Sequence, residues 1–235
     1  MHDSVPAPGS LTEQLEYYRA RAHEYDQWWL RQGRYDRGQE LNGGWFADAV
    51  ELNSALHAFA PAGDILELAG GTGIWSEQLL TCATTLTVVD GSPEALAINR
   101  ARLNSGRAEY IEADLFEWQP QRQYDVVFFS FWLSHVPDQA FDGFWRLVRT
   151  CLAPGGRVFF IDSRKDPAST AVDHRLPARA PVAERRLNDG RTFNVYKIFY
   201  EPPALQQRLA RLGWHIHVAQ TNRYFIYGYG APIAA

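Results

Sequence analysis

Asp64-Ile65-Leu66-Glu67-Leu68-Ala69-Gly70-Gly71-Thr72-Gly73 is the stretch that decides how the chain reads. Ile65–Ala69 is a short apolar run of strand type, and Ile74–Cys82 carries helical spacing. The glycines between them allow a sharp turn and let a ligand approach the backbone closely. Strand, glycine-rich turn and helix in that order open an α/β unit whose ligands bind at the carboxyl ends of the strands. Glycines there also serve close packing of helix on strand, so the stretch alone names no ligand. A dinucleotide fingerprint stays open, since Ser76 stands at the third small position after Gly71 and Gly73. Asp90, at the end of the next strand, suits ribose hydroxyls in either class.

Downstream, Leu86–Val89 reads as strand two, and Ser92-Pro93 caps a helix running to about Asn104. Tyr110-Ile111 is a short third strand. Asp125–Phe131 is a fourth, apolar on both faces as a central parallel strand should be. Phe141, Phe144, Trp145, Val148 and Leu152 mark a helix that stops at Pro154-Gly155-Gly156, before strand five at Arg157–Ile161. Alternation of this kind predicts an α/β, doubly wound, mostly parallel sheet. Ser163–Pro181 breaks the pattern, and Leu187–Gly190 is a turn between two further strands, the second at Thr192–Tyr200. A helix follows Pro202-Pro203 and ends near Leu212-Gly213. Ile216–Ala219 and Tyr224–Tyr227 are linked too tightly for a parallel crossover, so they pair antiparallel.

Upstream, Ser10-Leu11-Thr12-Glu13 has the form of a capping box. Leu11, Leu15, Tyr18, Ala22, Tyr25 and Trp29 then share a helical face. Gly33, Gly38, Gly43 and Gly44 interrupt it, and a second helix runs from about Trp45 to Phe59. The expected organisation is a helical lid at 1–60 and an α/β domain at 61–235, with an insertion at about 163–200. A net charge of −4 disfavours nucleic acid as a partner. The stretch Val126–Leu133 is too short to span a bilayer, so no membrane partner is expected. Met1–Ser10 has no apolar signal-peptide core. Cys82 and Cys151 build neither a disulfide framework nor a thiolate metal site, which points to a cytoplasmic protein without a metal. Aromatic residues reach 14%, with eight Trp, enough to line a pocket as well as a core.

Taken together, these segments resemble the class I S-adenosylmethionine-dependent methyltransferases, small-molecule type. The family's acidic-x-G-x-G-x-G motif is matched by Glu67, Ala69, Gly71 and Gly73, with Ala69 in place of the first glycine. Asp90 matches the acidic residue after strand two, and Asp114 in Glu112-Ala113-Asp114-Leu115-Phe116 matches the one near the adenine. Tyr124–Phe129 matches the fourth strand, and Leu152-Ala153-Pro154-Gly155-Gly156 the approach to the fifth. Tyr17–Asp26 resembles the opening helix of small-molecule members, which folds over the cofactor. The resemblance implies a seven-stranded Rossmann-like methyltransferase fold with an antiparallel final strand.

It also implies roles. Asp90 would hold the ribose, and Asp114, Leu115 and Phe116 the adenine. Gly71 and its neighbours Ala69 and Gly70 would let the methionine part lie against the backbone, with Glu67, Gly91, Ser92 and Ser130 as further cofactor contacts. Tyr25 and Trp29 would present π-faces to the sulfonium, though the same residues also suit plain packing. Methyl transfer is an in-line displacement, helped by alignment and exclusion of water. His135, just past the fourth strand, is the candidate base, with Tyr18 as its relay. Tyr17, Phe131 and Trp132 are candidate acceptor contacts. The chain lacks the Asn/Asp-Pro-Pro-Tyr/Phe signature of base- and amide-methylating relatives, which suggests a small aromatic or apolar acceptor. Arg164, Lys165, Arg179, Arg185, Arg186 and Arg191 make the insertion basic. They read as a solvated face, with an anion-recognising wall as the alternative. A dinucleotide-dependent oxidoreductase and a non-catalytic S-adenosylmethionine-binding protein remain competing functions.

Overall fold

The computed structural model describes residues 9–174 and 181–233, so Arg179 lies outside the described residues. A seven-stranded sheet has the order β3-β2-β1-β4-β5-β9-β8. Its strands are β1 (Gly63–Leu68), β2 (Ala83–Asp90), β3 (Ala108–Glu112), β4 (Tyr124–Ser130), β5 (Leu152–Ser163), β8 (Trp214–Gln220) and β9 (Phe225–Pro232). β1 pairs in parallel with both β2 and β4, and β9 runs antiparallel between β5 and β8. The order reverses between β1 and β4. That reversal opens a crevice at the carboxyl edge, where doubly wound sheets bind ligands.

Helices cover both faces: α3 (Gln39–Phe59), α4 (Ser76–Cys82) and α5 (Pro93–Leu103) on one, α6 (Phe141–Cys151) and α7 (Pro202–Arg211) on the other. Ser92 caps α5 by accepting from the Ala95 amide at 3.1 Å, with Pro93 in the first turn. On α6, Phe141, Trp145 and Val148 are at most 1% exposed against β4 and β5. Each such burial is worth roughly 1.5–3 kcal/mol. Val126–Phe129 of β4 are likewise at most 1% exposed, as a strand covered on both faces requires.

Several boundaries differ from the sequence reading, three of them with a plain local cause. α3 starts at Gln39 and runs through Gly43 and Gly44. Two helical glycines cost about 1 kcal/mol each, which the burial of Trp45, Leu52, Leu56 and Phe59 outweighs. α3 is therefore part of the sheet's cover, and the cleft-facing part of the N-terminal segment is α1 (Leu11–Arg21) and α2 (Tyr25–Trp29). β5 begins at Leu152, with a register shift opposite Tyr124 and Val126 that accommodates Pro154 and the glycines. The second strand of the insertion ends at Tyr196 rather than Tyr200, because Lys197 and Ile198 donate their amides to Pro181 and Ser134 instead of a strand partner.

The insertion forms its own hairpin, β6 (Val182–Arg186) with β7 (Thr192–Tyr196). It docks on α1: Glu13 accepts from the Asn194 amide at 2.8 Å and Gln14 from the Tyr196 amide at 3.0 Å. Ser10 accepts from the Glu13 amide at 3.0 Å, but the Glu13 carboxylate turns outward to Gly9 and Asn194. The capping box is thus half closed, and its acid joins the insertion.

Candidate active site

β1 is followed by Ala69, whose φ is +52°, and then by Gly71 at +52° and Gly73 at +91°. A non-glycine residue in that region is strained by roughly 1–2 kcal/mol. The loop is held from behind. Asn99 of α5 donates to the Ser76 hydroxyl at 2.8 Å and to the Gly71 carbonyl at 3.3 Å. Glu67 accepts from the Ser76 hydroxyl at 2.5 Å. Asp26 of α2 accepts from the Thr72 hydroxyl at 2.5 Å and pairs with Arg102. The Asp90 carboxylate accepts from the amides of Gly71 and Ser92, each at 2.8 Å, so it couples the ends of β1 and β2. Burial raises its pKa, and the amides of Ser92, Gly71 and Gly91 oppose that rise.

Two clefts meet over this edge. The first encloses about 820 Å³ and is open to solvent. Asp90, Gly91, Ser92, Asp114, Leu115 and Phe116 line one end, while Ala69, Gly71, Ser130 and Trp132 line the floor. A side pocket continues past Gly70, Thr72 and Trp75. The second cleft encloses about 560 Å³ and holds Tyr17, Arg21, His135, Ser163, Arg185 and Lys197. Tyr18, Tyr25 and Phe131 belong to both clefts.

The second cleft contains a defined hydrogen-bonded pair. His135 Nδ1 lies 2.6 Å from the Tyr196 carbonyl, which can only accept, so that nitrogen carries the proton. Nε2 is then a bare acceptor, 2.8 Å from the Tyr18 hydroxyl. Burial, and next the charge of Lys197, hold the His135 pKa well below its usual 6.5, so the ring is neutral. Burial likewise raises Tyr18 well above the usual phenol range, so its hydroxyl keeps its proton.

The methyltransferase domain family model matches residues 65–156, the segment from β1 into the start of β5. The solved DhpI–SAH complex is 37% identical, with a TM-score of 0.77, and covers 97% of this chain and 98% of that chain. The chain belongs to the class I S-adenosylmethionine-dependent methyltransferases. A DhpI–SAM–HEP complex matches this methyltransferase at 37% identity and TM-score 0.79, covering 97% of this chain and 100% of that chain. The ubiquinone biosynthesis O-methyltransferase of Pseudomonas putida is 30% identical over 164 residues, covering 66% of this chain and 64% of that relative. The chain thus spans just under two thirds of the length of the first curated relatives it matches. Membership sets aside the dinucleotide-dependent oxidoreductase.

Most of the expected site residues of this methyltransferase line a cleft, and three are differently placed. Glu67 is 1% exposed beneath the glycine loop and lines neither main cleft. Its contact is Ser76, so it positions the loop. Trp29 packs on Trp45, Trp75 and Phe225 in the core, because a 3₁₀ turn at Ala22–Glu24 rotates α2 away from the face of α1. Trp132 lines the first cleft beside Phe116, not the second. Phe131, directly after β4, has φ +53° and lines both clefts, while Ser130 and Trp132 on either side of it line the first.

Sequence reasoning missed Arg21, Lys197, Ser163, Ser169, Thr170 and His174 of the second cleft. Arg185, expected on a solvated face, is 8% exposed and lines the cleft. Arg164, in contrast, caps the Thr221 and Asn222 carbonyls, Arg191 pairs with Asp189, and Lys165 is exposed. Asn99 was also missed. Its signal is an asparagine in a helix interior, a position that residue does not favour.

Proposed function

We propose that the protein transfers a methyl group from S-adenosylmethionine to a small acceptor held in the second cleft. The observation that carries this reading is the meeting of the two clefts at Tyr18, Tyr25 and Phe131. The first cleft fits the cosubstrate. At Gly71 a Cβ would have nothing within 4 Å, which leaves room for a ligand against the backbone. Asp90 has lone pairs left over for two ribose hydroxyls, while Leu115 and Phe116 offer apolar contact to an adenine and Asp114 an acceptor for its amino group. Ala69, Gly70 and Ser130 suit the methionine portion, and the Tyr25 face the sulfonium. S-adenosylmethionine supplies a methyl carbon on positive sulfur, which moves as an acceptor lone pair bonds to carbon and the carbon–sulfur pair stays on sulfur.

The chain's own residues then align and dry the acceptor. Phe131 and Tyr25 wall the junction, and α1 closes it from above. Where the attacking atom carries a proton, that proton passes to the Tyr18 oxygen as Tyr18 gives its own to His135 Nε2. Where the attacking atom is already ionised, the pair only orients it. The expectation of an aromatic or apolar acceptor meets a cleft with aromatic walls but a cationic interior. Among the described residues, no helix is long and apolar enough to cross a membrane. The two thiols, Cys82 exposed and Cys151 buried, are free, which suits a cytoplasmic setting.

The test is S-adenosylhomocysteine release from S-adenosylmethionine across a panel of small metabolites, with calorimetry on the same protein. Acceptor-dependent release supports the proposal. Tight binding of the product with no release on any acceptor would identify a binding protein instead.

A further inference from the structure

The second cleft holds more positive charge than its acids balance. Arg185 is 8% exposed, and its guanidinium donates to the Glu184 carbonyl at 3.3 Å. Among the described residues, no carboxylate lies within 4.0 Å of the Arg185 or Arg21 guanidinium. Arg21 sits over the rings of Tyr25, Tyr17 and Tyr35 at 4.7, 5.6 and 5.9 Å, and its Nε is buried without a hydrogen-bond partner. Lys197, 8% exposed, donates to Ser134 at 2.7 Å and lies 3.5 Å from Asp162. That acid is already engaged by the amides of Ser134 and Ser163, at 2.7 Å each.

A buried, unpaired guanidinium is costly, and chains keep one where a partner arrives to match it. The arginine fork is shaped for two oxygens of one oxyanion. Ser163, Ser169 and Thr170 line the same space and add neutral polar groups. Resting on the methyltransferase reading above, we infer that the acceptor carries an oxyanion, of carboxylate or phosphoryl type, seated between Arg21, Arg185 and Lys197. The positive field is felt by the neighbours. Burial, and then Arg185, push His174 down to about 4, and burial brings Lys197 to about 8 against the pull of Asp162. The rings of Tyr17, Tyr35 and Phe131 around these cations keep the cleft selective for a small acid rather than a polyanion.

The experiment is calorimetric titration of inorganic phosphate and, separately, acetate into the full chain saturated with S-adenosylhomocysteine. Turnover of small acids is compared with that of their neutral amides or esters in parallel. The expected result is one-site anion binding, weakened about 10- to 100-fold by Arg185→Gln and less by Arg185→Lys, the scale of a charge-assisted hydrogen bond. S-adenosylhomocysteine affinity should not change in either variant. The stronger of the two arms tells phosphoryl from carboxylate. If Arg185→Gln does not fold, the wild-type arm still decides, because the preferred anion must inhibit competitively against the acceptor and not against S-adenosylmethionine. Turnover of neutral acceptors with no anion binding overturns the oxyanion and leaves the methyltransferase standing. Failure to bind S-adenosylhomocysteine at all would overturn both.

Discussion

Glu67→Gln asks whether a carboxyl beneath the glycine loop is neutral in the folded protein. Glu67 is 1% exposed and accepts from Ser76 at 2.5 Å, and among the described residues it has no ion-pair partner. Burial pushes its pKa up to about 8, with Ser76 opposing and Asp90 adding to the rise. An unfolded glutamate titrates near ~4.3. The folded state therefore binds this proton more tightly than the unfolded one. Its contribution to stability is fully present below about pH 4.3 and is lost as pH rises through about 8. At about 1.36 kcal/mol per unit, the loss amounts to roughly 2–5 kcal/mol, the lower end allowing for relaxation around the charge. Guanidinium unfolding at a series of pH values between 5 and 9 measures it. The wild type should lose stability over that range relative to Glu67→Gln, which has no proton to give up there. Parallel pH profiles for the two proteins would refute the neutral carboxyl.

Asp90→Ala should weaken S-adenosylhomocysteine binding by about 1.5–3 kcal/mol, the range for hydrogen bonds to a charged group; unchanged affinity in a folded variant would remove Asp90 from the site. On an acceptor whose attacking atom is protonated, Tyr18→Phe and His135→Gln should each lower kcat by about 10²–10⁴. On an ionised acceptor neither variant should matter much, and similar losses on both acceptor types would show the pair to be purely structural. Since the His135 pKa is depressed, the neutral base survives acidification, and the acid limb of kcat/KM on a protonated acceptor should fall below pH ~6.5. Ala69→Gly should relieve a positive φ and raise Tm by about 2–4 °C for roughly 1 kcal/mol; a lower Tm would mean the alanine is unstrained. Amide exchange across residues 11–21 should slow when S-adenosylhomocysteine is added, and indifference to it would leave α1 as ordinary packing rather than a lid.

Legibility in the sequence followed sequence distance. The glycine loop, Asp90 and Asp114 each sit at the end of a strand that periodicity reveals, so the first cleft could be assembled by counting strands. The fully buried run Val126–Phe129 likewise marks the sheet centre without help from any other segment. The second cleft draws Arg21 from α1, Arg185 from β6 and Lys197 from the irregular segment after β7. Nothing local distinguishes Arg185, which is buried, from Arg186, which is exposed, since alternation along a strand decides it only once the strand's covered face is known. Trp29 failed for a related reason: the helical face holds only while the helix is continuous, and the turn at Ala22–Glu24 resets it. His135 and Tyr18 were legible separately, but the Tyr196 carbonyl that fixes the tautomer comes from the insertion hairpin.

The proposed function requires the two clefts to be a donor site and an acceptor site joined at Tyr18, Tyr25 and Phe131. A crystal structure with S-adenosylhomocysteine tests it most directly. The ribose hydroxyls should lie on Asp90, the adenine against Leu115 and Phe116, and the sulfur at the junction facing the cleft of Arg21, Arg185 and Lys197. A sulfur directed away from that cleft, with Phe131 between the two, would contradict it.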